Sequence, residues 1–203
     1  MEPAESVLFI FGLFGMVAEA MTAALAAGRR KMDWFGVAVL GCVTALGGGS
    51  LRDVLLGHYP LLWVKHPMLL FLTGGAALLT IALARVVHRF HMLFLVLDAI
   101  GLVVFTIIGC SVAMGMGQPL TIVVVAGMIT GCAGGVLRDI LCTEVPLLFR
   151  SELYASVSLV TGTIYVLATH FGTEHVAVVI GSVAFGLTFR LLAIRYKWEM
   201  PKF

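Results

Sequence analysis

The chain contains 203 residues, of which 61% are hydrophobic and only 12% are charged, and its net charge is +2. Soluble domains carry about 25% charged residues, so this composition predicts an all-α integral membrane protein and argues against a soluble domain. The small net charge argues against a nucleic acid partner, and the sequence contains no nucleophile, nucleotide-binding or metalloprotease motif that would indicate an enzyme or a cofactor.

Seven apolar segments are long enough to be membrane-spanning helices, since a helix needs roughly 20 apolar residues to cross the bilayer. In chain order they cover residues 6–27, 34–57, 67–87, 92–115, 120–141, 153–171 and 176–194. The connections between them are short and polar, so we expect a single transmembrane domain over residues 1–203.

Lysine and arginine are concentrated in the connections on one side of the predicted helices. Residues 29–31, which read Arg-Arg-Lys, follow the first segment, and Arg85 and Arg89 follow the third. Arg150, after the fifth segment, and the basic residues of the C-terminal tail fall on the same side. Because cytoplasmic loops are enriched in basic residues, we expect the N-terminus outside and the C-terminus in the cytoplasm.

A glycine-rich motif that ends in an arginine–aspartate pair occurs twice. Residues 48–53 read GGSLRD and residues 134–139 read GGVLRD, an offset of 134 − 48 = 86 residues. The same offset relates Gly15 to Gly101. The similarity therefore extends beyond the motif and indicates an internal repeat.

The offset divides the chain into two repeats of three predicted helices, at about residues 6–88 and 92–171, with an additional helix at about 176–195. Three is an odd number, so the second repeat must enter the bilayer with the opposite orientation. This is the inverted-repeat architecture of many transport proteins, in which the ion or substrate site lies near the middle of the bilayer.

The glycines of the two motifs are predicted to break the second and fifth membrane helices, at residues 47–49 and 133–135. A break leaves carbonyl groups without helical partners, and a bilayer tolerates such backbone where it lines a cavity. Carbonyl and hydroxyl oxygens at the breaks would then suit a cation. The alternative is that the glycines only allow close helix packing. The candidate pathway residues are Thr44, Gly47, Gly48, Gly49, Ser50, Thr130, Ala133, Gly134 and Gly135.

Several ionisable side chains lie inside the predicted helices, where charge is costly and usually functional. They are Arg52, Asp53, Arg138, Asp139, Asp98 and Glu19. Adjacent residues do not face each other on a helix, so a pair between the repeats, such as Arg52 with Asp139, is one hypothesis. Another is that these side chains only extend toward the membrane interface. Beside a cation path an arginine would act as a gate or tune the charge, whereas beside an amino acid it would bind the carboxylate.

Residues 44–53, 97–102 and 134–139 resemble the bacterial branch of the trimeric intracellular cation (TRIC) channels, a branch also labelled a glycine-transporter family. The resemblance implies seven spanning helices, a homotrimer and a location in the bacterial inner membrane. It also implies an hourglass pore in each protomer, lined by kinked second and fifth helices and permeable to monovalent cations, mainly potassium. Permeant potassium or sodium would be its only metal ion. This sequence departs from the family at Gly12, where an acidic residue is expected, and at Glu19, where an apolar one is expected.

The residues are compatible with three functions. The first is a passive, potassium-permeable channel that Arg52 or Arg138 gates or tunes. The second is a secondary transporter of glycine or a similar small zwitterion, in which arginine binds the carboxylate and Asp98 or Glu19 lies near the amine. The third is a membrane scaffold that transports nothing.

Overall fold

Nine helices form the regular structure in the part of the chain that the computed structural model describes, which is residues 3–84, 90–150, 153–172 and 175–198. The long helices are α1 (Pro3–Arg29), α2 (Trp34–Leu56), α4 (Met68–Ala84), α5 (Phe90–Gly115), α6 (Leu120–Leu141), α8 (Tyr154–His170) and α9 (His175–Tyr196). The short helices α3 (Leu62–Lys65) and α7 (Leu147–Arg150) follow α2 and α6 respectively. Arg85 and Arg89, which helped to predict the orientation, lie outside the described residues.

The long helices lie within about three residues of the predicted segments at each end. Five of them, α1, α2, α5, α6 and α9, are long and apolar enough to cross a bilayer. Helices α4 and α8 have 17 residues each. At 1.5 Å per residue they are about 26 Å long, which is at the short end of the range for a spanning helix.

Helix α2 begins and ends at residues that suit helix boundaries. The carboxylate of Asp33 accepts a hydrogen bond from the N–H of Gly36 at 2.7 Å, which satisfies one of the free donors at the N-terminus. Gly57 follows the last turn in the left-handed conformation, with φ of 69°, and its N–H donates to the Asp53 carbonyl. These two caps fix where along α2 the Arg52–Asp53 pair lies.

The predicted breaks in α2 and α6 are wrong. Both helices are continuous, and each runs through its glycines without interruption. Glycine lowers helix propensity by about 1 kcal/mol per residue, but packing against neighbouring helices overrides such local preferences. In a bilayer the backbone also has no water to bond with, so the helical hydrogen bonds are kept.

The glycines instead allow α2 and α6 to cross with their backbones in contact. A Cβ atom added to Gly48 would collide with the carbonyl oxygen of Thr130, and one added to Gly134 would collide with the carbonyl oxygen of Thr44. The two contacts are related by the repeat offset, since 48 + 86 = 134 and 44 + 86 = 130. Close packing of small residues is therefore the role of Gly48 and Gly134 in this structure.

Gly48→Ala is expected to destabilise the protein by about 1–3 kcal/mol, because the added methyl group must push α2 away from the Thr130 carbonyl. Gly75→Ala in α4 is the matched control, since a Cβ at that position has no atom within 4 Å. Thermal unfolding of the purified protein in detergent should show a lower midpoint only for Gly48→Ala. Equal midpoints for the two variants would show that α2 and α6 can move apart at Gly48 without loss of stability.

Candidate functional site

Arg52 and Asp53, near the C-terminal end of α2, pair with each other. Asp53 Oδ1 accepts hydrogen bonds from Arg52 Nε at 2.9 Å and from Arg52 Nη2 at 2.6 Å. The Nδ1 atom of His58 lies 3.0 Å from the same oxygen. Arg52 and Asp53 are buried, whereas the His58 side chain is half-exposed. The carboxylate thus neutralises the guanidinium inside the helix assembly, with a histidine at its edge.

Arg138 is the counterpart of Arg52 in the second repeat, and it is 0% exposed. Its Nε donates to Asp139 Oδ1 at 2.8 Å, and its Nη1 donates to Asp98 Oδ1 at 2.8 Å. Nη1 also donates to Thr22 Oγ1 at 2.9 Å and lies 3.7 Å from Glu19 Oε2. We refer to Arg138, Asp139, Asp98 and Glu19 as the Arg138 cluster.

Two further contacts hold the Arg138 cluster in place. The guanidinium carbon lies 4.5 Å from the ring centroid of Phe94, at the distance of a cation–π interaction. Asp139 Oδ2 accepts a hydrogen bond from the N–H of Leu147 at 2.9 Å, at the start of α7. A fully buried charge is tolerated only when it is paired and hydrogen-bonded, so the cluster ties α1, α5, α6 and α7 together.

The expectation that adjacent residues do not face each other is wrong for both arginine–aspartate pairs. The long arginine side chain curls around its own helix and reaches the carboxylate of the next residue. Among the described residues no ion pair joins Arg52 to Asp139, so that hypothesis is also wrong. Arg138 is instead approached from the first repeat by Glu19 of α1, whose Oε2 lies 3.7 Å from Nη1. Extension toward the interface is excluded for Arg138 by its complete burial.

The two repeats differ in the acids that surround their arginines. The counterpart of Asp98 is Gly12, since 98 − 86 = 12, and the counterpart of Glu19 is Phe105, since 19 + 86 = 105. In the described part of the chain, Asp53 is therefore the only carboxylate that pairs with Arg52. The surroundings of Arg138 are closed, whereas those of Arg52 are open to a cavity.

A cavity of about 630 Å³, here called the vestibule, lies beside Arg52 and Asp53. Its polar lining includes His58, Lys65 and His66, which lie in the segment between α2 and α4 that contains α3. Its apolar walls are provided by α1, α4 and α5. A cavity of this size with charged walls can hold water and small ions.

A second cavity of about 50 Å³, here called the small chamber, adjoins the vestibule. Gly49 and Ser50 of α2 and Thr130 of α6 line it. Trp63 of α3 also lines it, and its Nε1 donates a hydrogen bond to Ser50 Oγ at 3.1 Å. The residues that line both cavities are Met16, Arg52, Leu62 and Ile108.

The predicted pathway hydroxyls each donate to a carbonyl oxygen one turn earlier in their own helix. The pairs are Thr44 with Leu40 at 2.7 Å, Ser50 with Leu46 at 2.8 Å and Thr130 with Ala126 at 2.7 Å. A hydroxyl oxygen that donates still has lone pairs, so Ser50 and Thr130 can accept hydrogen bonds or contact a cation in the small chamber. Thr44 lies at the helix crossing and lines neither cavity.

The remaining candidate residues divide between packing and the Arg138 cluster. A Cβ on Gly47 would lie 2.7 Å from Leu137 Cδ1, so this glycine is a packing residue. A Cβ on Gly135 would lie 3.5 Å from the guanidinium of the cluster. Ala133 lines neither the vestibule nor the small chamber. Within the described ranges, no group of three or more histidine, cysteine and acidic side chains is arranged to hold a metal ion.

Comparison with known sequences matches both halves of the chain to one family. The family model described as "Glycine transporter" matches residues 9–85 and again residues 95–170, and the two matches begin 95 − 9 = 86 residues apart. The UPF0126 inner membrane protein YadS of Escherichia coli K12 is 41% identical over 94% of this chain and 93% of its own length. A UPF0126 membrane protein of Vibrio cholerae is 39% identical over 98% of this chain and 83% of its own length.

Solved structures give the same relationship in three dimensions. A TRIC channel orthologue from Rhodobacter sphaeroides superposes with a TM-score of 0.91 at 31% identity, over 95% of this chain and 99% of that chain. This chain belongs to the TRIC family. A TRIC cation channel whose structure addresses conductance has a TM-score of 0.87 at 36% identity and covers 96% of each chain. A TRIC channel from C. elegans shares the fold at a TM-score of 0.66 and 15% identity.

Sequence reasoning missed several residues around the two arginines of this TRIC protein. Thr22 and Phe94 contact Arg138, and Trp63 covers the small chamber. Thr22 follows Glu19 by three residues and therefore lies on the same face of α1, a spacing that would have identified it. Single aromatic residues in apolar helices give no comparable signal.

Asp98→Asn is expected to destabilise this TRIC protein by about 3 kcal/mol, because it removes a charged partner from a fully buried guanidinium. Glu144→Gln makes the same carboxylate-to-amide change in a partly exposed pair with Arg30, and it should cost less than about 1 kcal/mol. The free energy of unfolding in mixed micelles would be measured for both variants. If both variants lost a similar free energy of unfolding, the claim that buried Arg138 is stabilised by Asp98 would be wrong.

Proposed function

We propose that this protein is a channel for monovalent cations, mainly potassium, and that the ions pass through each protomer beside the α2–α6 crossing. The observation that carries this proposal is that the vestibule and the small chamber adjoin at the repeated motif. The small chamber offers a cation the hydroxyl oxygens of Ser50 and Thr130. The likeness to TRIC channels over 95% of the chain supports the same function.

We propose that the path is closed in this conformation. Arg52 and the apolar side chains of Met16, Leu62 and Ile108 line both cavities and therefore border the passage from the vestibule into the small chamber. Apolar constrictions of this kind stop ions by excluding water. Beyond the crossing, the four side chains of the Arg138 cluster are buried. Opening then requires the apolar side chains to move apart and the guanidinium of Arg138 to leave its present position.

The carboxylates explain how a path for cations can contain arginines. Two like charges at 4 Å repel by about 4 kcal/mol at an effective dielectric constant of 20, so an unpaired arginine would block conduction. Asp53 neutralises Arg52, and three carboxyl groups surround Arg138. The acidic groups around Arg138 outnumber the basic ones, so this part of the path favours a cation over an anion once it opens.

The proposal also includes the arrangement of the chain in the membrane. The protein would have seven spanning helices, with inverted repeats at about residues 6–88 and 92–171 and an additional helix at about 176–195. The reciprocal contacts at Gly48 and Gly134 and the double match of the family model support the repeats. The inner membrane location of the relative YadS supports a location in the same bacterial membrane. From the distribution of basic residues we propose that the N-terminus lies outside and the C-terminus in the cytoplasm. A homotrimer is proposed from the likeness to TRIC channels.

Transport of glycine is not favoured by the site. A carboxylate ligand would need a guanidinium that is free to bind it, but Arg138 already contacts three carboxyl groups and is 0% exposed. Arg52 donates from both Nε and Nη2 to Asp53. Both arginines therefore have their carboxylate partners within the protein.

Single-channel recording tests the proposal directly. Purified protein in a planar bilayer, with asymmetric potassium chloride, is expected to give discrete openings whose reversal potential follows the potassium gradient. Added glycine should leave the current unchanged, because Arg52 and Arg138 are already paired with carboxylates of the protein. Absence of potassium current together with saturable glycine uptake into vesicles would overturn the proposal.

The Arg52→Gln variant, recorded in the same way, tests whether the ions pass beside Arg52. Removing the positive charge at the constriction leaves Asp53 to attract cations, so the conductance should rise, and the rise should shrink at high salt because charges are screened. Arg30→Gln is the matched control, because Arg30 is exposed and lines neither cavity. Equal conductance of both variants and the unmodified protein would place the path elsewhere.

A further inference from the structure

The passage between the vestibule and the small chamber is bordered by side chains of three long helices and one short helix. Met16 belongs to α1, Arg52 to α2 and Ile108 to α5, whereas Leu62 is the first residue of α3. Helix α3 has only four residues, and none of them is buried. A short segment with few buried contacts can be displaced at a lower cost than a long packed helix. Of the four helices, α3 is therefore the one that can move most easily.

The next residue of α3, Trp63, connects this short helix to α2. Trp63 lines the small chamber together with Gly49 and Ser50, and its Nε1 donates a hydrogen bond to Ser50 Oγ at 3.1 Å. In the described part of the chain, this is the only hydrogen bond that joins a side chain of α3 to another helix. Ser50 is held in place because its hydroxyl donates to the Leu46 carbonyl oxygen at 2.8 Å. One hydrogen bond thus connects α3 to the wall of the small chamber.

The corresponding short helix of the second repeat, α7, is held more firmly. Leu147, at the start of α7, is buried, and its N–H donates to Asp139 Oδ2 at 2.9 Å. The counterpart of Leu147 is Leu61, since 147 − 86 = 61, and it immediately precedes α3. Among the described residues no side chain caps the start of α3, and the carboxylate of Asp53 contacts the neighbouring arginine and histidine instead. A bond to a carboxylate is stronger than a neutral one, so Trp63 holds α3 less tightly than Asp139 holds α7.

We propose that α3 is a lid over the small chamber and that the hydrogen bond from Trp63 to Ser50 is the latch that keeps the lid closed. Leu62 and Trp63 are consecutive residues, so a displacement of α3 withdraws both together. Withdrawal of Leu62 removes one apolar border of the passage, and withdrawal of Trp63 uncovers the wall of the small chamber. The role of the lid in conduction rests on the proposed channel function, whereas its control of access to the small chamber does not.

Thiol modification of a Gly49→Cys variant measures access to the small chamber without any ion flux. A Cβ atom fits at this position, because its nearest neighbour, Arg52 Nη2, would lie 3.9 Å away. A small charged methanethiosulfonate reagent would be added to the purified protein in detergent. Mass spectrometry of the peptide that contains residue 49 would then give the reaction rate. Because only this peptide is followed, the four native cysteines can stay in place.

Two substitutions remove the latch from opposite sides. Trp63→Phe keeps an aromatic ring but lacks the N–H donor, so the thiol at position 49 should react roughly fivefold faster, as expected for the loss of one hydrogen bond. Ser50→Ala keeps the indole ring and removes its acceptor, so it should give a similar increase. The double variant should react no faster than the faster single variant, because both changes remove the same bond. Trp34→Phe is the matched control and should leave the rate unchanged, since Trp34 is exposed and lines neither cavity.

Unchanged reaction rates in both Trp63→Phe and Ser50→Ala would overturn the proposal. A faster reaction in Trp63→Phe alone would also overturn it, because a smaller ring would then leave a gap without any latch. In planar bilayers, Trp63→Phe should increase the fraction of time that the channel is open, whereas Trp34→Phe should not. If the unmodified protein carried no potassium current while both latch variants reacted faster, the channel function would be wrong and the lid would stand. The two failures are therefore distinguishable.

Discussion

The close crossing of α2 and α6 is the constraint on which the rest of the site depends. Backbone contact at Gly48 and Gly134 leaves no room for side chains at those two positions. Of the residues that follow, Gly49 lines the small chamber and Gly135 packs against the Arg138 cluster, and each arginine lies about one helical turn farther along. A glycine pair that fixes helix separation thereby also fixes where the charges of both repeats lie.

Two nearly identical motifs acquire different environments from the helices packed around them. Asp98 and Glu19 enclose Arg138, whereas the counterparts of these acids are Gly12 and Phe105. Gly12 has no side chain and lines the vestibule, so Arg52 stays beside an open cavity. The repeat therefore provides a symmetric framework, and a few substitutions outside the motif make one side open and the other closed.

The long helices and the repeat could be predicted because they are determined by apolar length and by identities at a fixed offset. The continuity of α2 and α6 could not, because glycine propensity describes an isolated helix while packing and the lack of water decide the outcome in a bilayer. The alternative that glycines serve helix packing was available from the sequence and proved right at Gly48 and Gly134.

The charged residues were identified from the sequence, but their partners were not. Glu19 and Asp98 are 79 residues apart (98 − 19 = 79), and only the fold brings both to Arg138. The pairing of each arginine with the next aspartate depends on the bend of a long side chain, which helix spacing alone does not reveal. The cavities depend on the shapes of several helices together, so no local pattern indicates them.

The central claim is that ions pass through the small chamber, and cysteine modification at Ser50 tests it most directly. The four native cysteines would first be replaced, and Ser50→Cys would be compared with Val54→Cys, which lies on an exposed part of α2. A membrane-impermeant thiol reagent added from the vestibule side should reduce the potassium current through Ser50→Cys and leave Val54→Cys unchanged. If mass spectrometry confirmed that the thiol of the Ser50→Cys variant was modified and the current did not change, the result would contradict the account.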